Sequence, residues 1–159
     1  MKKLNLYVDT SVWNFYFAED SPDKQKATVE FFEEVVAEEL VNIFISAAVI
    51  KEISNADTDK QRILLKLIDR FDTEMLEITK EVDILAQLYL TECALPLRSL
   101  EDATHAAVAT VNNINYLVSW NLKHLANINR KKKISSINIK YGYEAIDIFT
   151  PMEVNKYGM

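Results

Sequence analysis

Leu4-Asn5-Leu6-Tyr7-Val8-Asp9-Thr10-Ser11 is the stretch whose reading decides the fold of this chain. Leu4 to Val8 is short, β-prone and mostly apolar, which predicts a strand. Asp9 falls where that strand stops, with the hydroxyls of Thr10 and Ser11 directly behind it. A carboxylate there stands at the carboxyl edge of an α/β sheet, where ligands gather, so it is a metal-ligand position. The same aspartate also reads as an Asx-turn or helix N-cap that satisfies the amides of the next turn.

Outward from this stretch, β-rich runs alternate with helical patterns. Asp23 to Glu39 reads as a helix with an apolar stripe of Val29, Phe32, Val35, Val36 and Leu40, and Val41 to Ile45 as a second strand. Ser46 is placed to cap a short helix from Ala47 to Ser54. Thr58 to Phe71 is a cleaner amphipathic helix, with Ile63, Leu64, Leu67, Ile68 and Phe71 on one face. Met75 to Ile78 reads as a short strand, and Glu81 to Cys93 and Leu100 to Val111 as helices. Tyr116 to Trp120 reads as a strand leading into Asn121 to Ala126, and Ile134 to Phe149 alternates as a strand. This βαβ rhythm predicts an α/β fold with a mostly parallel central sheet covered on both faces. There is no internal repeat or low-complexity linker, so residues 1–159 read as a single domain.

Composition excludes several classes of function. A net charge of -6 rules out the broad basic field of a protein that grips nucleic acid by bulk electrostatics, so any such contact is local. Glycine occurs only at 142 and 158, which leaves no P-loop, dinucleotide fingerprint or nucleophile elbow in the first four-fifths of the chain. Cys93 is the single cysteine, so no disulfide framework exists and a reducing compartment is expected. The N-terminal Met-Lys-Lys passes straight into the first strand without a leader or a membrane span, and a cytoplasmic location is expected.

Two further carboxylates resemble Asp9 in address. Glu52 lies on the flank of the short helix whose buried stripe is Val49, Ile50 and Ile53, from which it can reach over the sheet edge; alone it also reads as a solvated glutamate. Asp102 opens the helix after Ser99, a pattern that equally reads as a capping box. Ala103, Ala106, Ala107 and Ala109 let that helix pack close to a neighbour, and His105 lies one turn on from Asp102, as an orienting group or a packed histidine. Ser119 and Asn121 occupy the turn after a later strand, the structural address of Asp9, where they can bind water, metal or phosphate. Asn129-Arg130-Lys131-Lys132-Lys133, with Lys123 and His124 nearer the turn, is the local cationic candidate for substrate phosphates, or simply a solvated basic loop.

Taken together, Tyr7-Val8-Asp9-Thr10-Ser11, Glu52, Asp102 on an alanine-rich helix and Ser119-x-Asn121 resemble the PIN domain, most closely the VapC-type ribonuclease toxins and their stand-alone relatives. The resemblance spans Leu4 to about Val154. It implies a three-layer α/β/α sandwich and a divalent cation, Mg²⁺ or Mn²⁺, held by Asp9, Asp102 and Glu52 for RNA hydrolysis. Asn121 joins the catalytic set, and Thr10, Ser11, Ser119, Lys123, His124 and Arg130 to Lys133 form the substrate side. The implied partners are an RNA substrate, an antitoxin protein and a second copy of the chain in a homodimer. One departure stands out: a fourth acid is usual where this chain has Asn121, so one cation is expected rather than two. Glu101 points about 100° away from Asp102 and is a poor replacement. A haloacid-dehalogenase phosphatase would want an acid at Ser11, and a receiver domain an acidic pair and a lysine that have no place here. The remaining rival is a PIN-like module that binds RNA or protein without cleaving it.

Overall fold

A computed structural model describes residues 3–92, 94–123 and 125–156. Its core is a five-stranded sheet in the order β3-β2-β1-β4-β5, parallel at every pairing, formed by β1 (Leu4–Val8), β2 (Val41–Ser46), β3 (Thr73–Leu76), β4 (Tyr116–Val118) and β5 (Asp147–Phe149). Helices cover both faces, giving the expected α/β/α sandwich. Alternation along β1 divides the core between the faces. Leu6 and Val8 point into the layer built by α1 (Thr10–Phe15), α2 (Pro22–Glu30), α3 (Ala47–Ile53) and α4 (Thr58–Arg70). Tyr7 points into the layer built by α5 (Lys80–Thr91), α6 (Leu100–Val111) and α7 (Ile128–Lys140). α8 (Pro151–Lys156) returns to the first face through Val154.

Strand order places the site. The chain runs from β1 outward to β3 on one side, then crosses back to lay β4 and β5 on the other, so the order reverses between β1 and β4. Open parallel sheets bind ligands in the crevice at such a switch point. Asp9 ends β1 and Ser119 follows β4, and the Asp9 amide joins the two by donating to the Val118 carbonyl at 3.1 Å.

Several sequence expectations change in detail. The Asp23 to Glu39 helix is α2 followed by a π-helical stretch, Phe31–Val36, in which Ala37 N donates to Phe32 O. The wider turn swings Phe31, Phe32, Val35 and Val36 inward together and leaves Leu40 49% exposed, off the stripe assigned to it. Ile63 also leaves its assigned stripe, at 42% exposed. The largest correction concerns Ile134 to Phe149, which is the second half of helix α7 and then β5 rather than one strand. Ile137 and Ile139 alternate, but Ile134, Ile137 and Asn138 share the buried helical face, and Asn127 starts the helix by accepting from Arg130 N at 2.9 Å. Arg130 to Lys133 are therefore helical, not a loop. Helix α1 had no counterpart in the sequence reading, β4 stops at Val118 short of Trp120, and β3 begins at Thr73. Cys93 and His124 lie outside the described residues.

Candidate active site

Asp9 is only 3% exposed, and among the described residues the bonds to its carboxylate come from Ser11 and Ser119. Oδ1 accepts from the Ser11 amide at 3.0 Å and the Ser11 hydroxyl at 2.5 Å, while Oδ2 accepts from the Ser119 hydroxyl at 2.5 Å. The amide bond makes Asp9 the N-cap of α1, so the capping and site readings hold together. Both serines also brace the β4 turn, since Ser11 Oγ accepts from Trp120 N and Ser119 Oγ from Asn121 N, each at 2.9 Å. Burial pushes the Asp9 carboxyl above its ordinary range; the charge of His105 and the bonds from Ser11 and Ser119 oppose this, and the charge of Asp102 adds to it.

Asp102 is half-buried near the start of α6, and Asn121 Nδ2 donates to its Oδ2 at 2.8 Å. The neutral fourth corner thus does what an acid could not, since a carboxylate there would repel Asp102. Ser99 takes the N-cap position of α6 but its hydroxyl makes no capping bond, so the capping-box reading is not realised. Glu52 is not a solvated glutamate either. Its Oε1 lies 2.5 Å from His105 Nε2, and His105 is 2% exposed. Burial alone lowers the His105 pKa, but the bond to Glu52 and the charges of Asp9, Glu52 and Asp102 outweigh it and raise it.

Carboxylates, hydroxyls and an amide carbonyl are an all-oxygen donor set, which suits a hard divalent cation, and the raised Asp9 carboxyl is the electrostatic load such a cation relieves. Asp9 and Asp102 fit that role. Even so, among the described residues no three His, Cys, Asp or Glu side chains are gathered closely enough to form a ready-made cage. Their present partners are Ser11 and Ser119 for Asp9, Asn121 for Asp102 and His105 for Glu52.

The substrate-side candidates fare unequally. Ser11 and Ser119 are brought to Asp9, and Thr10 is 6% exposed with a hydroxyl that has no hydrogen-bond partner among the described residues. Lys123 is exposed beyond Asn121. Of the basic run, Arg130 donates to the Ala94 carbonyl at 2.9 Å, and Lys131 lies 3.5 Å from Asp147 and over the Phe149 ring, so both are engaged within the fold. Lys132 and Lys133 are exposed. Sequence reasoning missed Lys24, whose Nζ stands 5.4 Å from the Phe15 ring and 5.7 Å from the Trp120 ring, beside the Ser119–Asn121 turn. Ion pairs among the described residues do not include it. Nothing local in sequence marks it, because α2 and the β4 turn meet only in the fold.

With this arrangement in place, the comparisons with known proteins are specific. The chain belongs to the PIN domain family, whose model matches residues 6–130. In fold it is similar to a chain of the VapBC2 complex of Rickettsia felis, solved bound to a DNA fragment from their promoter, with a TM-score of 0.60 and 17% identity over 92% of this chain and 98% of that one. It is also similar to VapC20 of Mycobacterium tuberculosis, a toxin that cleaves the sarcin-ricin loop, with a TM-score of 0.52 and 17% identity over 70% of this chain and 86% of that one. No curated protein matches the sequence. No helix among the described residues is long and apolar enough to cross a membrane.

Proposed function

We propose that this chain is a divalent-metal-dependent endoribonuclease that hydrolyses RNA phosphodiester bonds. The observation that carries the reading is Asp9, a buried carboxylate at the sheet's switch point, in a PIN domain chain, with Asp102 adding to the charge around it. Mg²⁺ or Mn²⁺, held by Asp9, Asp102 and Glu52, would acidify a bound water and balance charge on the attacked phosphate. Ser11 and Ser119 keep both Asp9 oxygens in one orientation. Asn121 fixes Asp102, and Glu52, with Oε1 occupied by His105, keeps Oε2 to accept a proton or orient the attacking water.

RNA reaching an acidic chain needs local cations, and Lys24 leads them, ahead of Lys123, Lys132 and Lys133. Replacing Lys24 by Gln should raise KM for RNA and flatten the dependence of log affinity on log salt by about 0.7, the loss of one single-strand phosphate contact. An unchanged slope would remove Lys24 from the substrate path. As the toxin of a type II toxin-antitoxin pair, the chain would act in the cytoplasm, with an antitoxin and a second copy of itself as protein partners. The Rickettsia felis complex supports that reading by its fold.

A second reading, a PIN domain that binds without cleaving, is favoured by Asn121, which sets a neutral amide against Asp102. Incubating a panel of structured and single-stranded RNAs with and without Mg²⁺ or Mn²⁺ separates the two. Cleavage that a chelator abolishes supports the nuclease; RNA bound but intact under every condition supports the binding module.

A further inference from the structure

Beside the acidic crevice runs a chain of buried polar groups, of which the steps above use only the Glu52 end. The Tyr7 hydroxyl lies 2.7 Å from Ser46 Oγ and 2.7 Å from His105 Nδ1, and His105 Nε2 lies 2.5 Å from Glu52 Oε1. Tyr7 and Ser46 are fully buried, and His105 is nearly so. Ser46 in turn caps α3 by accepting from Ala48 N at 3.2 Å, and Glu52 sits near the other end of the same helix. One network, anchored on β1 and α6, therefore holds α3 at both ends.

Glu52 needs such a hold. A glutamate is a flexible side chain, and a carboxylate in the last turn of a helix faces the negative end of the helix dipole. Left to itself it would sample many rotamers away from the crevice. The imidazole removes that freedom by offering Nε2–H to Oε1. The arrangement is indifferent to the state of the ring, because a tyrosine hydroxyl both donates and accepts. With a neutral ring, Ser46 donates to Tyr7 and Tyr7 to Nδ1; with a protonated ring, Nδ1 donates to Tyr7 and Tyr7 to Ser46. In both cases the Tyr7 hydroxyl and both ring nitrogens are paired, and Nε2 keeps its proton towards Glu52.

We propose that His105 is a positioning residue for the reaction, fixing Glu52 so that its second carboxylate oxygen is presented to the site, with Tyr7 and Ser46 setting the orientation of the ring. The inference rests on the nuclease reading above. Partners of this kind, one bond behind the groups that do the chemistry, cost about 10–100-fold in activity or metal affinity when removed. A packed histidine with no such role would cost stability alone.

The test compares His105→Gln with His105→Asn. Glutamine extends its amide N–H towards the place of Nε2 and can still donate to Glu52, whereas asparagine reaches only the Nδ1 place and Tyr7. Steady-state RNA cleavage in Mn²⁺, Mn²⁺ calorimetry and thermal melts in chelator are measured on both, and on Tyr7→Phe. The expected result is a drop in kcat of about 10–100-fold for His105→Asn with KM nearly unchanged, substantial recovery in His105→Gln, and a smaller loss in Tyr7→Phe. Mn²⁺ affinity should follow the same order while the metal-free melts of the two His105 variants coincide. Equal losses in the Gln and Asn variants, or losses that track melting temperature, overturn the assignment. An inactive wild-type protein instead overturns the nuclease reading on which it stands.

Discussion

Asp9→Asn should abolish divalent-dependent RNA cleavage, lowering kcat by more than about 100-fold, since even groups one bond removed from a metal site cost up to that factor. The variant should not lose the fold. Asparagine keeps an oxygen for the Ser11 amide, and the hydroxyls of Ser11 and Ser119 can rotate to meet the new amide group. Electrostatics point the same way. The folded carboxyl is raised above its ordinary 3.8, so the stability it contributes is full below that value and is lost as pH rises through the folded one. Above that, the ionised carboxylate weighs against the metal-free fold, and asparagine removes the load. Metal-free melts at neutral pH should therefore show Asp9→Asn as stable as wild type or more so. Adding cation at a hundred times its dissociation constant should stabilise only the wild type, by about 2.7 kcal/mol, or roughly 5–11 °C. A variant that melts early without metal would show that Asp9 acts mainly as the cap of α1.

Phe32→Ala should produce the largest loss of stability. Phe32 is fully buried at the centre of an aromatic cluster, with ring centroids 4.7 Å from Trp13, 5.1 Å from Phe31 and 5.2 Å from Phe71. Truncation of such a ring leaves a cavity and costs about 3–5 kcal/mol, equivalent to a fall of roughly 6–20 °C in Tm for a chain of this size. The residue also bears on function. Trp13 lies on α1, whose N-cap is Asp9, so the cluster seats the helix that carries the central carboxylate. Well below the lowered Tm, cleavage should nonetheless persist, because the Ser11 and Ser119 bonds and the Val118 carbonyl hold Asp9 independently. Thermal melts with activity measured at low temperature check both parts. A fall in activity matching Asp9→Asn would tie the site to the π-helical layer far more closely than these bonds do.

The strand ends were the most legible part of this chain. Val8-Asp9 and the Ser46 cap are local signals, and both stand where the residues placed them. Glu52, Asp102 and Asn121 were legible as members of a set, but their partners were not. Which face Tyr7 takes depends on the pairing of β1, and only the packing of α6 against that face brings His105 between Tyr7 and Glu52. The failure at Ile134 to Phe149 has a simpler cause. Ile134 and Ile137 keep a helical spacing while Ile137 and Ile139 alternate, and the deciding signal, Asn127 as a cap, lay about two turns upstream of Ile134, before the Asn129 to Lys133 run read as a basic loop. Arg130 and Lys131 then illustrate the limit of charge counting. Their partners, the Ala94 carbonyl and Asp147, are distant in sequence, and so is the aromatic pair that carries Lys24.

Calorimetric titration of the metal-free protein with Mn²⁺, run beside Asp9→Asn and Asp102→Asn, tests the central claim most directly. Carboxylates now bonded to serine, asparagine and histidine should be drawn onto about one cation per chain, with binding abolished in Asp9→Asn and strongly weakened in Asp102→Asn. Absence of any saturable binding by the wild type, or the same binding in all three proteins, would contradict an acidic metal site built on Asp9.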